Sequence, residues 1–377
     1  MDMLPWPSPN TNNLKFPVAR PGVREEDIAA MVSDLRNGNI SGGSPTIAEA
    51  EAGLSKVVGA DCLLVSNGSV AIMLALRALG IGVGDEVLVP NLTYAATASS
   101  VVNVGATPVF CDSSLQDWNV SFDYLVGSYT ERTKALILVD LYGVTRDWLP
   151  IVNWARSKGL LVIHDCAESL TSKWGGNPTG HLADIRTFSF FANKLITSGE
   201  GGAVATSNPE LLARMRKLRG QGMSESVRYW FEVPGYNFRI SSPQASLLLS
   251  QMRRLEATVV SREKLFERYD ELLGSEVTRP IPPQEAVFSP WMYTVLLENI
   301  RPRELAANLA ALGVETRPVF YPLTAMPAFS PYDSGGKFAS AVRIHEKGIS
   351  LPTWTDWTES ELEELHRLLE LGLNECT

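Results

Sequence analysis

DCLLVSNGSVAIMLALRALG, residues Asp61 to Gly80, decides the fold. Its opening residues form a short apolar run. From Gly68 onward, apolar side chains recur at the three- and four-residue spacing of a helix, and Gly80 stops it. Strand, tight turn and helix therefore follow one another directly. The alternation continues downstream with DEVLVP as a strand, TYAATASSVVNVG as a helix, TPVFCD and KALILVD as strands, a helix near Trp148 to Lys158, and LLVIHD as a strand. Strands alternating with helices predict a mostly parallel sheet covered on both faces. RTFSFF and GGAVATS add two strands with no long helix between them, so the sheet is expected to be mixed.

Beyond Pro209 the pattern changes. A helix is expected from Glu210 to Arg219, then one long helix from about Pro243 to Leu273. WMYTVLLE as a strand, RELAANLAALG as a helix, VETRPVF as a strand and a helix after Thr358 then describe a smaller α/β unit. The expected division is 1–274, comprising an N-terminal arm, a large domain and the long connecting helix, and 275–377, a small C-terminal α/β domain. A chain of 377 residues, 45% hydrophobic, has enough apolar surface for two cores.

The formal charge of -9, from 33 basic and 42 acidic residues without a basic block, argues against a nucleic-acid partner, which would need clustered Lys and Arg. ALILVDLYGV is interrupted by Asp140 and too short to span a bilayer, and MDMLPWPSPNTNN lacks the features of a secretory leader. Cys62, Cys111, Cys166 and Cys376 are scattered without CxxC spacing, which suits reduced thiols rather than disulfides or zinc. A cytoplasmic enzyme with no metal and no membrane partner is the expectation.

In open α/β sheets, ligands bind beyond the carboxyl ends of the strands. Three such ends carry suggestive groups. SNGS opens a helix at Gly68 and Ser69, where free amides and the positive end of the helix dipole suit a phosphate; an ordinary capped turn has the same residues. LLVIHDCAES ends on Asp165, whose carboxylate needs a partner if buried, or else caps the next helix. His164 would face the other side of that strand as a packed side chain. Glu168, three residues on, would share a side with Asp165 or be solvated. FFANKLITSGEGGAV sets Lys194 between two aromatics and a glycine turn, where a lone lysine is ordinarily a surface cation. One chemistry uses all three ends. Pyridoxal 5'-phosphate requires a lysine amine to hold its aldehyde, an acid to keep its ring nitrogen protonated, and an anion site for its phosphate. Lys194, Asp165 and the Gly68 turn supply these. The freed amine would also move protons, provided its surroundings lower its pKa.

ISGGSPTIAEAEAGLSKVVG, the run from SNGS to TPVFCD, and HDCAESLTSKWGGNPTGHLADIRTFSFFANKLITSGEGGAVAT occur in that order. In these motifs, and over nearly its whole length, the chain resembles the pyridoxal-phosphate-dependent nucleotide-sugar aminotransferases of the DegT/DnrJ/EryC1 group. The resemblance implies the transferase fold type I, aspartate aminotransferase-like, and pyridoxal 5'-phosphate with pyridoxamine 5'-phosphate as its aminated form. It makes Lys194 the covalent anchor and proton carrier and Asp165 the partner of the ring nitrogen. Gly68, Ser69 and Ser189 would hold the phosphate, Tyr94 would stack on the ring, and Glu168 would sit near the Tyr94 phenolic oxygen. Asn237, in GYN, would reach the phosphate of the neighbouring subunit, which implies a homodimer with shared active sites.

RGQGM, RYWFEVPGYNFR, WMYTV and VETRPVFYPL resemble the branch that aminates carbon 4 of GDP-4-keto-6-deoxy-D-mannose with L-glutamate as donor. Ser69 stands where threonine is common, and His164 and Cys166 where glutamate and alanine are usual. Tyr321 and Thr324 replace histidines in the expected sugar site, which keeps another nucleotide-linked 3-keto or 4-keto sugar open. Arg239 and Arg317 suit bidentate anchoring of substrate carboxylate or phosphate, or equally structural ion pairs. Lys194 speaks against a related sugar dehydratase, where histidine takes its place. Retention of Lys194, Asp165, Ser189 and Asn237 together speaks against a non-catalytic scaffold.

Overall fold

Alternation of side chains to two faces organises the central sheet of the computed structural model, which describes residues 5–274, 277–280 and 282–376. Helices α1 (Glu25–Arg36) and α2 (Pro45–Val58) precede it. In strand β1 (Asp61–Val65), Leu63 and Val65 enter one buried cluster, while Cys62 and Leu64 enter another on the opposite face. Both faces must then be covered. Helix α3 (Gly68–Ala78) follows, capped by the Asn67 carboxamide, which accepts from the Val70 amide at 3.0 Å. Then come β2 (Glu86–Pro90), α4 (Ala96–Asn103), β3 (Thr107–Cys111), α5 (Phe122–Ser128), β4 (Thr133–Val139), α6 (Leu149–Ser157) and β5 (Leu161–Asp165). A short hairpin, β6 (Lys173–Trp174) and β7 (Asn177–Pro178), leads to β8 (Ile185–Ser189) and β9 (Gly202–Thr206).

These strands, the hairpin excepted, form one sheet in the order β1-β9-β8-β5-β4-β2-β3. Only β9 opposes the others, pairing antiparallel with both β1 and β8. The sheet is thus mixed, as the missing helix between RTFSFF and GGAVATS requires. All the parallel strands end at one edge. That edge carries the turns after β1, β2, β4, β5 and β8.

After α7 (Pro209–Arg219), the expected single helix is two: α8 (Ser242–Met252) and α9 (Leu255–Leu273). The break falls at Arg254, whose backbone leaves the helical region at φ -115°, ψ 15°. Its guanidinium is drawn onto Asp27 of α1, 2.7 Å from Oδ1, and onto the Gly22 carbonyl at 2.8 Å. A buried carboxylate on another element therefore overrides helical spacing that runs unbroken through this point.

A second, antiparallel sheet, ordered β10-β12-β14-β13, comprises β10 (Val277–Thr278), β12 (Thr294–Leu297), β13 (Arg317–Pro318) and β14 (Gly348–Ser350). The two-residue β11 (Ala286–Val287) instead pairs with β6. VETRPVF contributes only β13, because Pro318 has no amide to continue the ladder. Helices α10 (Pro302–Ala311), α11 (Ala339–Lys347) and α12 (Glu359–Asn374) accompany this sheet, and Thr358 and Glu361 form the capping box of α12. Tyr293, Val295, Leu305, Leu309, Leu365 and Leu369 belong to one buried cluster, joined by Phe16 from the N-terminal arm. The arm is tied down where the Lys15 and Phe16 amides donate to the Gly313 carbonyl at 2.9 and 3.1 Å. Ser275 and Glu276, where the C-terminal unit is expected to begin, lie outside the described residues.

Candidate active site

The carboxyl edge of the large sheet opens into a cavity of about 560 Å³. Gly68 and Ser69 reach it from the start of α3, Tyr94 from the turn after β2, Asp165 and Glu168 from the end of β5, and Ser189 and Lys194 from β8 and the loop beyond it. Arg317 of β13 completes the opposite wall. Seven of the eight cofactor-site residues expected from sequence thus come together, with one of three substrate candidates.

Asp165 is buried, and its carboxylate accepts from three donors: the Ala167 amide at 3.1 Å, Thr187 Oγ1 at 3.3 Å and Thr97 Oγ1 at 3.2 Å. Burial pushes its pKa up against the pull of these bonds and of Lys194. A cation brought into the cavity beside it would offset that penalty. Lys194 is partly accessible from the cavity, yet its amine is enclosed. Burial lowers its pKa, with Arg262 acting in the same direction and Glu168 and Asp165 opposing. Glu168 is also buried, and burial raises its carboxyl to about 7 although Lys194 pulls it down.

The turn at Gly68 is built by close approach. A Cβ there would lie 3.0 Å from Ser189 Cβ, and one on Gly202 of β9 would lie 2.5 Å from the Asn67 carbonyl carbon. Two glycines thus let β8 and β9 press against the first turn of α3. They bring the Ser189 hydroxyl beside amides that helical geometry leaves without partners. Anion site, buried carboxylate and neutralisable amine share one cavity, so the residues fit pyridoxal phosphate.

Glu168 holds a different group from the expected one. Its Oε2 accepts from the Tyr142 amide at 2.6 Å, and the Tyr94 hydroxyl is not among its contacts in the described residues. Tyr142, fully buried, sits in the left-handed region at φ 53°. The Glu168 bond helps hold that strained backbone. Its ring stacks between Trp291 (5.8 Å, 18°) and Phe320 (5.3 Å, 14°), and Tyr94 leans on Phe320 at 5.9 Å. This aromatic wall escaped the sequence reading, because LYG, SPWMY and VFYP each look like ordinary core. The glycine that follows Tyr142 is the one signal the sequence offers for the left-handed turn there.

Asn237, Arg239 and Tyr321 do not line the cavity. Asn237 is exposed, and Arg239 packs where a Gly42 Cβ would be. Tyr321 stands against His345, with ring centroids 4.1 Å apart. Neither Arg239 nor Arg317 forms an ion pair among the described residues. Thr324 exchanges hydrogen bonds with Asn91, at 3.1 and 3.0 Å. His164 faces away from Asp165, as expected. Its Nε2 lies 3.2 Å from Asp140 Oδ1, with the ring edge-on to Trp148.

An amine and an acid set across a glycine turn at a helix start, at the carboxyl edge of this mixed sheet, fit a pyridoxal-phosphate-dependent transferase of fold type I. The chain belongs to the DegT/DnrJ/EryC1/StrS aminotransferase family, whose profile matches residues 21–370. Pyridoxal 5'-phosphate is its cofactor. It is similar to the GDP-perosamine synthase of Caulobacter vibrioides, 41% identical over 312 residues, 81% of this chain and 84% of that one. Among solved structures it resembles aminotransferase TlmJ from Streptoalloteichus hindustanus, with TM-score 0.89, 28% identity, and 96% of this chain and 99% of that one covered. The PLP form of Spr1654 from Streptococcus pneumoniae matches at TM-score 0.89 and 27% identity, over 96% and 99% of the two chains. No helix among the described residues is long and apolar enough to cross a membrane.

Proposed function

We propose that the protein transfers the amino group of L-glutamate to carbon 4 of GDP-4-keto-6-deoxy-D-mannose, forming GDP-perosamine and 2-oxoglutarate. The observation that carries the reaction class is the Lys194 amine, enclosed in one cavity with Asp165 and Glu168. The 41% identity to a GDP-perosamine synthase supports the sugar.

When bound, pyridoxal phosphate supplies an aldehyde carbon to which amines attach and a ring that takes up the electrons left by a departing Cα proton. The residues do the rest. Asp165 would keep the ring nitrogen protonated, with Thr97, Thr187 and the Ala167 amide fixing the carboxylate. The amides of Gly68 and Ser69 and the Ser189 hydroxyl would bind the phosphate, and Tyr94 would cover the ring. Lys194 would anchor the cofactor at rest. Once displaced, its Nζ would remove the proton from glutamate Cα and later deliver one to carbon 4 of the sugar. A lowered pKa keeps more of that amine in the basic form near neutral pH. The wall of Tyr142, Trp291 and Phe320 would help keep water from the reacting carbon. Arg317, exposed and without an ion pair among the described residues, would meet a carboxylate or phosphate, with Arg239 and Tyr321 as further candidates.

We also infer a homodimer in which Asn237 of the partner subunit completes the phosphate end. Asn237 lies outside its own chain's cavity and close in sequence to an exposed apolar run, with Tyr229 72%, Trp230 64% and Phe231 54% accessible. The division at Gly274 and a cytoplasmic location belong to the same reading, supported by the separate seven- and four-stranded sheets, although β11 pairs with β6 across the division, and by free cysteines. The test is an assay with glutamate against GDP-, dTDP- and UDP-linked 4-keto and 3-keto sugars, with NMR of the product. Turnover of the GDP-linked 4-ketone is expected. If it is inert while another ketone reacts, the sugar assignment falls.

A further inference from the structure

A displaced catalytic lysine must stay near the reacting carbon while carrying charge in a site that disfavours charge. Here the Lys194 Nζ lies 3.7 Å from the centroid of the Trp291 ring. The ring itself is held firmly. It is buried, stacks with Tyr142, and its Nε1 donates to the Asn193 carbonyl at 3.1 Å. Behind both residues is Arg262 of α9, also buried. One guanidinium nitrogen donates to the Trp291 carbonyl at 2.7 Å and another to the Lys194 carbonyl at 3.2 Å. No carboxylate pairs with Arg262 among the described residues. A buried guanidinium spent on two carbonyls from segments 97 residues apart is an expensive way to fix a loop, unless the relation between those segments matters.

We propose that Trp291 is a positioning residue that seats the free Lys194 amine on its indole face, and that Arg262 locks this seat by gripping the carbonyls of both residues. The inference rests on the reading of Lys194 as the reactive amine. The π face attracts the ammonium form and so resists part of the penalty of burial. The charged groups acting on the amine are Glu168 and Asp165 from the end of β5, which favour its charge, and Arg262 from α9, which disfavours it. Trp291 and Arg262 therefore push the amine in opposite directions, so it remains a competent base without drifting from the site.

The test uses the full-length enzyme loaded with pyridoxamine 5'-phosphate, in which no aldehyde competes for the lysine. Trace acylation across a pH series, read by mass spectrometry of the peptide containing Lys194, gives that amine's own titration. Trp291→Leu keeps an apolar wall but removes the π face. The labelling midpoint is expected to fall by about 0.4 to 1.5 pH units, with Trp291→Phe between the two. Arg262→Lys keeps the positive charge but cannot grip both carbonyls, so its midpoint is expected to fall toward that of Trp291→Leu, whereas general loosening, which rehydrates the amine, would raise it. A midpoint in Trp291→Leu equal to or above that of the parent overturns the seat. If the leucine variant does not fold, a midpoint in Trp291→Phe equal to or above the parent's overturns it in the same way. A midpoint in Arg262→Lys equal to or above the parent's overturns the lock. Because the readout is a titration and not turnover, it stands apart from the functional reading, which fails separately if Lys194→Ala still transaminates.

Discussion

Replacing Glu168 by glutamine isolates the charge of the cavity from its shape. The glutamine oxygen can still accept the Tyr142 amide that Glu168 Oε2 holds at 2.6 Å, so the strained turn keeps its bond. What disappears is a carboxyl that burial has raised from 4.5 to about 7. In the unfolded chain this group loses its proton near 4.5, whereas the native state keeps it until about 7. Between these values the native protein binds the extra proton, so the stabilisation is complete below the lower value and is lost as pH rises through the upper one. The displacement is about 2.5 pH units, and at about 1.4 kcal/mol each it amounts to about 3 kcal/mol. Urea unfolding of the cofactor-free protein at pH 4.5, 6 and 8 measures it. Relative to Glu168→Gln, the parent protein is expected to lose about 3 kcal/mol across that series. Parallel stability curves for the two proteins would refute the assignment of a buried, late-titrating carboxyl to Glu168.

Asp165→Asn leaves a side chain that can be held by the same donors but cannot pair with a cationic ring. Removing one partner of a buried charge pair costs about 3 to 5 kcal/mol, so turnover is expected to fall by roughly 10² to 10⁴-fold in steady-state assays. Gly68→Ala puts a Cβ 3.0 Å from Ser189 Cβ, forcing β8 back from the phosphate turn. Cofactor affinity, read by absorbance titration, is expected to drop about tenfold, the size of one charge-assisted hydrogen bond.

The parts of the site that were legible in the sequence lie where an apolar strand meets a polar residue. LLVIHD and RTFSFF mark their own ends, and those ends carry Asp165, Ser189 and the approach to Lys194. SNGS was readable for the same reason, since a capping asparagine and a glycine announce the start of α3. Other features are relations between distant segments. Tyr142, Trp291 and Phe320 each sit in an apolar run and become a wall only when the strands align. Arg262 looks like any helix-surface arginine until the Lys194 and Trp291 carbonyls are found against it. The break between α8 and α9 is set by Asp27, 227 residues before Arg254, and helical spacing alone carries no trace of it. Asn237 was legible only through family resemblance, and in the single chain it faces solvent.

The central claim, that Lys194 is the covalent anchor of the cofactor, is tested most directly by borohydride reduction of the purified holoenzyme followed by peptide mapping. Reduction fixes the cofactor on whichever lysine holds it. The account predicts a single pyridoxyl-phosphate mass addition on the peptide carrying Lys194, and its absence from Lys194→Ala. An adduct on another lysine, or none on a yellow and active enzyme, would contradict it.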